Sequence, residues 1–177
     1  LKVGRTKESA KLTLSHSGAM AGDDDTYDAI FDKYGVQRVR DMDELATALI
    51  LFSEFGLIGD GGLVTLHDSG GERQLLVDLA DETKVPLTIL DVNTVTELEK
   101  VIDPELPAIN PLDVWSRGGP NASQQFSKSA TLMLGDPDTS IAALILNRAP
   151  KGLIYSDYIE YMKVAKRKFF LPKNLVF

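Results

Sequence analysis

The sequence predicts an α/β fold of doubly wound parallel sheets, and three observations predict it. Strand-like and helix-like segments alternate through the 177 residues. No tight Asn-Gly or Asp-Gly turn links two predicted strands, which disfavours hairpins and favours βα units. Ile141 to Leu146 is a continuous apolar run, as a central strand covered on both faces requires. The length suits one large domain or two small ones.

The opening Leu1-Lys2-Val3-Gly4-Arg5 reads as a strand. In the first helix after the loop around His16, Tyr27, Ile30, Phe31 and Tyr34 share a face, and Gly35 ends it. Val36 to Val39 follows as a short strand. Asp41 and Glu44 form a capping-box pattern that opens a helix burying Met42, Leu45, Leu49 and Phe52. Gly56 to Gly62 holds four glycines and breaks the periodicity, so a boundary is expected there, with domains at 1–56 and 57–177. Leu63 to Leu66 is the next strand, and Ser69-Gly70-Gly71 leads into a helix through Leu75, Leu76 and Leu79. Leu87 to Leu90 is again strand-like. Thr94 and Glu97 cap a helix that turns Val95, Leu98 and Val101 inward. The loop Asn110-Pro111-Leu112-Asp113 precedes a helix from about Asn121 to Leu134. After Ile141 to Leu146 come a helix from Ser156, with Tyr158, Met162 and Ala165 on one face, and a strand at Asn174 to Phe177.

Composition removes several function classes. With 44% hydrophobic and 25% charged residues the chain is ordinary globular material, and a net charge of −7 argues against a nucleic-acid partner. The basic cluster Lys166-Arg167-Lys168 is explained by the end of a predicted helix. The absence of cysteine excludes disulfides, thiolate catalysis and cysteine-held metals. No apolar run approaches the ~20 residues of a membrane span. The first residues carry no initiator Met and no signal-peptide pattern, so an internal fragment in the cytoplasm is expected.

Two histidines are present, both expected in glycine-bearing loops. His16 stands among Ser15, Ser17, Gly18 and Ala19, small residues that let another surface approach the ring. A neutral imidazole can accept and return a phosphoryl group near neutral pH, being both nucleophile and tolerable leaving group. From these residues alone a plain surface histidine is preferred. Ser69, Gly70 and Gly71 lie at the start of a helix that follows a strand, where free N–H groups and the helix dipole attract an anion. A tight turn that needs glycine for its geometry explains them as well. His67 and Asp68 are adjacent and so point to opposite faces, which disfavours an acid/base pair. Asp23-Asp24-Asp25 reads as a helix start and no metal site is expected. Gly-x-x-x-x-Gly-Lys-Ser/Thr, Gly-x-Gly-x-x-Gly and Gly-x-Ser-x-Gly are all absent.

The run Val3-Gly4-Arg5-Thr6, Ser15-His16-Ser17-Gly18-Ala19, Ala21-Gly22 resembles the phosphohistidine segment of the NDP-forming acyl-CoA synthetases, the superfamily of ADP-forming acetyl-CoA synthetase and succinyl-CoA synthetase. Val64-Thr65-Leu66-His67-Asp68-Ser69-Gly70-Gly71 and Asn110-Pro111-Leu112-Asp113 resemble the next domain of those enzymes, in the same order. The resemblance reverses the preference at His16. It implies flavodoxin-like domains of the succinyl-CoA synthetase type: the end of one in 1–56 and a second in 57–177. It also implies that acyl-CoA is made from a small carboxylic acid and CoA, coupled reversibly to ATP and ADP with Mg2+. An acyl phosphate would pass its phosphoryl group to His16, which would deliver it to the nucleoside diphosphate, and Ser69, Gly70 and Gly71 would steady it. The sites for CoA and nucleotide would lie in Rossmann and ATP-grasp domains, in the same chain or a partner subunit of a homo- or hetero-oligomer. The fragment alone would then be inactive and bind no cofactor. The family usually has small or amide residues where His67 and Asp68 stand, and a small one at Glu72. The extra carboxylates offset the ~0.3–1 kcal/mol that a helix end offers an anion. The rival readings are a non-catalytic regulatory region of the same fold, as in a protein acetyltransferase, and an unrelated doubly wound binding module. Retention of His16 speaks against the first.

Overall fold

A computed structural model describes residues 1–114, 121–146 and 174–176. The chain forms two compact units, Leu1–Leu57 and Ile58–Phe177. The expected helix from Ser156 and the cluster Lys166-Arg167-Lys168 lie outside the described residues.

The first unit contains α1 (Lys7–Ser17), α2 (Asp24–Tyr34) and α3 (Met42–Phe55), and no strand. The expected strands at Leu1–Arg5 and Val36–Val39 are irregular backbone. A strand exists only by pairing, and neither segment has a partner here. Each helix opens on a side chain that accepts an orphan N–H: Thr6 from Ser9, Asp23 from Thr26 and Asp41 from Glu44. The capping box at Asp41 is extended by one residue, because the Glu44 carboxylate accepts from the backbone of Arg40 at 2.7 Å. Asp24, in the first turn of α2, draws in Arg38 at 2.6 Å, Arg5 at 3.2 Å and Lys2 at 3.9 Å, and Arg38 also pairs with Asp28. Bonding to Arg38 holds the Asp24 carboxyl below its usual range. That network stitches the opening segment to α2. Of the face of α3 expected to be buried, Leu45 is half-buried and the rest is open: Met42 is 66% exposed, Leu49 61% and Phe52 51%.

The second unit has β1 (Gly62–His67), α4 (Gly70–Thr83), α5 (Val92–Glu99), β2 (Leu112–Asp113), α6 (Ala122–Gly135), β3 (Thr139–Ile145) and β4 (Asn174–Val176). The sheet is parallel in the order β2-β1-β3-β4, a doubly wound pattern. Val64, Leu66, Leu112, Ala142 and Leu144 face α5 and α6, closing a core with Leu98, Phe126, Ala130 and Met133. The alternating residues Thr65 and His67 therefore point to the opposite face, the side of α4.

Three expectations in this unit shift. Leu87–Leu90 contributes a single bridge, Leu87 to Leu63, and is no full strand. Asn110–Asp113 is not only loop, because Leu112 and Asp113 pair with Leu66 and His67. The N-cap of α5 is Asp91, whose side chain accepts from Asn93 N, three residues ahead of Thr94. The first two shifts share a cause. One edge of β1 is served by two short segments in turn, and Asn110 fills the gap between them. Its carbonyl accepts from Thr65 N at 3.0 Å, and its amide donates to Leu63 O at 2.8 Å and Thr88 O at 3.0 Å. At the opposite end of the strands the buried Asp136 carboxylate accepts from the backbones of Asp91 and Asp138.

Candidate functional site

His16 is not in a loop. It occupies the last turn of α1 and is exposed. The sequence misleads because Ser15, Ser17 and Gly18 look like loop residues, but the serine supports the helix end. Ser17 Oγ donates to Thr13 O at 2.9 Å and accepts from Ala19 N at 3.4 Å. Gly18 caps the helix in the left-handed region at φ 68°, its N–H bonding Leu14 O. The chain turns again at Gly22, where φ is 73° and a Cβ would meet the Tyr27 ring at 2.7 Å. The His16 turn is thus fixed from both sides while the ring stays open to another surface.

Ser69, Gly70 and Gly71 open α4 in the second unit. Ser69 is the N-cap, yet its side chain makes no capping bond. The first helical bond runs from Arg73 N to Ser69 O at 3.4 Å. The N–H groups of Gly70, Gly71 and Glu72 precede it, so they have no partner within the helix. The two glycines are exposed and put no side chain over that end.

His67 departs most from expectation. It is the last residue of β1 and is fully buried. Its Nε2 lies 2.8 Å from Thr65 Oγ1, and its Nδ1 is buried with no hydrogen-bond partner. Burial pushes the imidazole pKa down to about 4 and the Arg73 charge adds to this, while Asp113 and Asp68 pull it up. A ring so placed is neutral at physiological pH and is walled off from a phosphoryl donor.

Arg73 and Asp113 are the charged residues that sequence reasoning passed over as actors. Arg73 Nε donates to Pro111 O at 2.9 Å, and Nη1 stands 3.6 Å from Asp113 Oδ2. One signal was available for Arg73: it lies four residues after a helix cap that follows a strand, within side-chain reach of the neighbouring strand end. Glu72, in the same turn, buries Oε2 without a hydrogen-bond partner.

Residues 1–52 match the family described as "Succinyl-CoA ligase like flavodoxin domain". The chain is 29% identical over 146 residues to "Acetate--CoA ligase [ADP-forming] I" of Archaeoglobus fulgidus, covering 82% of this chain and 21% of that protein. It is 34% identical over 115 residues to "4-hydroxybutyrate--CoA ligase [ADP-forming]" of Nitrosopumilus maritimus, covering 64% of this chain and 16% of that one. The chain therefore spans about a fifth of the length of these relatives. Its fold is similar to that of the dinucleotide-forming acetyl-coenzyme A synthetase 1 of Ca. Korarchaeum cryptofilum, solved with phosphate and ADP. The TM-score is 0.79 at 19% identity, over 99% of this chain and 37% of that one.

Proposed function

We propose that this chain, a member of the NDP-forming acyl-CoA synthetase superfamily, is the phosphoryl-relay part of an acid–CoA ligase coupled to ATP and ADP. His16 is the carrier. One ring nitrogen attacks the phosphorus of the donor, the donor's P–O bond breaks, and the phosphoryl group rests on the imidazole. A second displacement moves it to an acceptor oxygen and restores the neutral ring. The observation that carries this reading is the exposed imidazole at the end of α1, inside the segment that matches the ligase family. The amino end of α4, at Ser69, Gly70 and Gly71, is an anion site for a phosphoryl group, since the N–H groups that open the helix have no partner within it.

Mg2+ would neutralise phosphate charge in such a reaction. Among the described residues no three His, Asp or Glu side chains are grouped to hold a metal ion. CoA, the acid and the nucleotide are assigned to Rossmann and ATP-grasp domains of the whole enzyme, in one chain or in partner subunits.

The test is made in the intact enzyme. His16→Ala abolishes acyl-CoA synthesis, a loss well beyond the ~10²–10⁴-fold of a missing general base, because a covalent carrier has no substitute. Labelled ATP leaves an acid-labile, base-stable phosphate on the wild type and none on the variant. Label that persists in His16→Ala would give the role to another residue. His67, shut inside the sheet, is poorly placed to take it.

A further inference from the structure

We propose that Asp113 and Arg73 tune the amino end of α4 in opposite directions, Asp113 weakening its hold on an anion and Arg73 strengthening it. This rests on the reading that α4 meets a phosphoryl group, and it adds two residues that select for the charge of that group.

The placement starts with the sheet. Because β2 pairs with β1 so that Asp113 stands opposite His67, the Asp113 side chain arrives beside the first turn of α4. A Cβ on Gly70 would lie 3.9 Å from Asp113 Oδ2, so a carboxylate stands against the glycine that opens the helix. Arg73 opposes it from within that turn. Its Nη1 is 3.6 Å from the same oxygen, an ion pair too long for a hydrogen bond, and the bond from Nε to Pro111 O fixes where the guanidinium sits. The side chains are only 18% and 12% exposed, so salt screens these charges weakly. His67 behind them is neutral, and its Nδ1 is left without a partner. An anion approaching the N–H groups of Gly70 and Gly71 meets the Arg73 charge already shared with Asp113. Replacing the Asp113 charge frees the guanidinium for the ligand, whereas removing Arg73 leaves a carboxylate to repel it. The effect scales with ligand charge and is largest for a dianion.

The experiment is calorimetric titration of the full chain with inorganic phosphate at low ionic strength and mildly alkaline pH, where phosphate is a dianion. Asp113→Asn tightens binding roughly two- to fivefold and Arg73→Met weakens it by a similar factor, the scale of one charge at a helix end. The double variant returns towards wild type. A pair with a merely structural role would weaken binding in both single variants. If Arg73→Met does not fold, tightening by Asp113→Asn decides alone, since loss of a structural contact cannot produce it. Binding in the wild type that neither variant changes, or that both weaken, overturns this inference and leaves the phosphate reading standing. If wild type and Asp113→Asn both take up no phosphate, the reading of α4 fails and this inference fails with it.

Discussion

The two imidazoles have similar sequence neighbourhoods and opposite fates. His16 is exposed at a helix end, whereas His67 is sealed at the end of a strand. The difference makes His67 a source of acid sensitivity. Its folded pKa of about 4 lies below the ordinary 6.5, so between those values the unfolded chain binds the extra proton. Its contribution to stability is complete above about pH 6.5 and is lost as pH falls towards 4, with a full value on the order of 3 kcal/mol. Urea unfolding between pH 7 and pH 4.5 should therefore show a steeper loss in wild type than in His67→Gln. Parallel pH profiles would show that the ring titrates normally. His16 was legible as a candidate from its small neighbours and from the family resemblance. Its place on a helix was not, because Ser17 and Gly18 are equally at home in a loop and at a helix end. His67 could have been read from the alternation Leu63, Thr65, His67, which extends the strand by one residue and turns the imidazole inward.

At the level of elements, the helices were easier to read than the strands. Asp23 and Asp41 cap helices by local bonds visible in sequence, and Gly35 ends α2 in the left-handed region. Pairing is a property of distant residues, so Val36–Val39 and Leu87–Leu90 have strand composition without becoming strands. The handover along β1 depends on Asn110, which lies 45 residues from Thr65, whose N–H it satisfies. No local pattern announces that bond. Asn110→Ala should cost about 2–4 kcal/mol, since it strands the buried Thr65 N–H and frees two carbonyls. The urea midpoint measures this, and an unchanged midpoint would mean that water takes over the bonds. Asn110→Asp keeps the acceptor for Thr65 but puts an oxygen against the carbonyls of Leu63 and Thr88, so little stability should return.

Across the whole molecule, burial is unequal. In the first unit Val39 is the one apolar side chain that is buried, whereas the second unit closes a continuous core around Leu66, Leu98, Leu112 and Met133. Amide exchange in the full chain should accordingly be slowest in β1, β3 and α6 and faster in α1 to α3, with mass spectrometry of peptic fragments as the measurement. Equal protection in the two units would mean that the helices of the first are held by contacts other than their own apolar packing. The divided edge of β1 has a further consequence, for self-association. A long exposed edge strand is a template on which a second chain can extend the sheet. Here the outer edge is a two-residue strand, a single bridge at Leu87 and an amide side chain that occupies the intervening groups. Among the described residues, a neighbouring molecule finds a broken run of donors and acceptors on the side of the sheet where Asn110 sits, a poor template for extending the sheet.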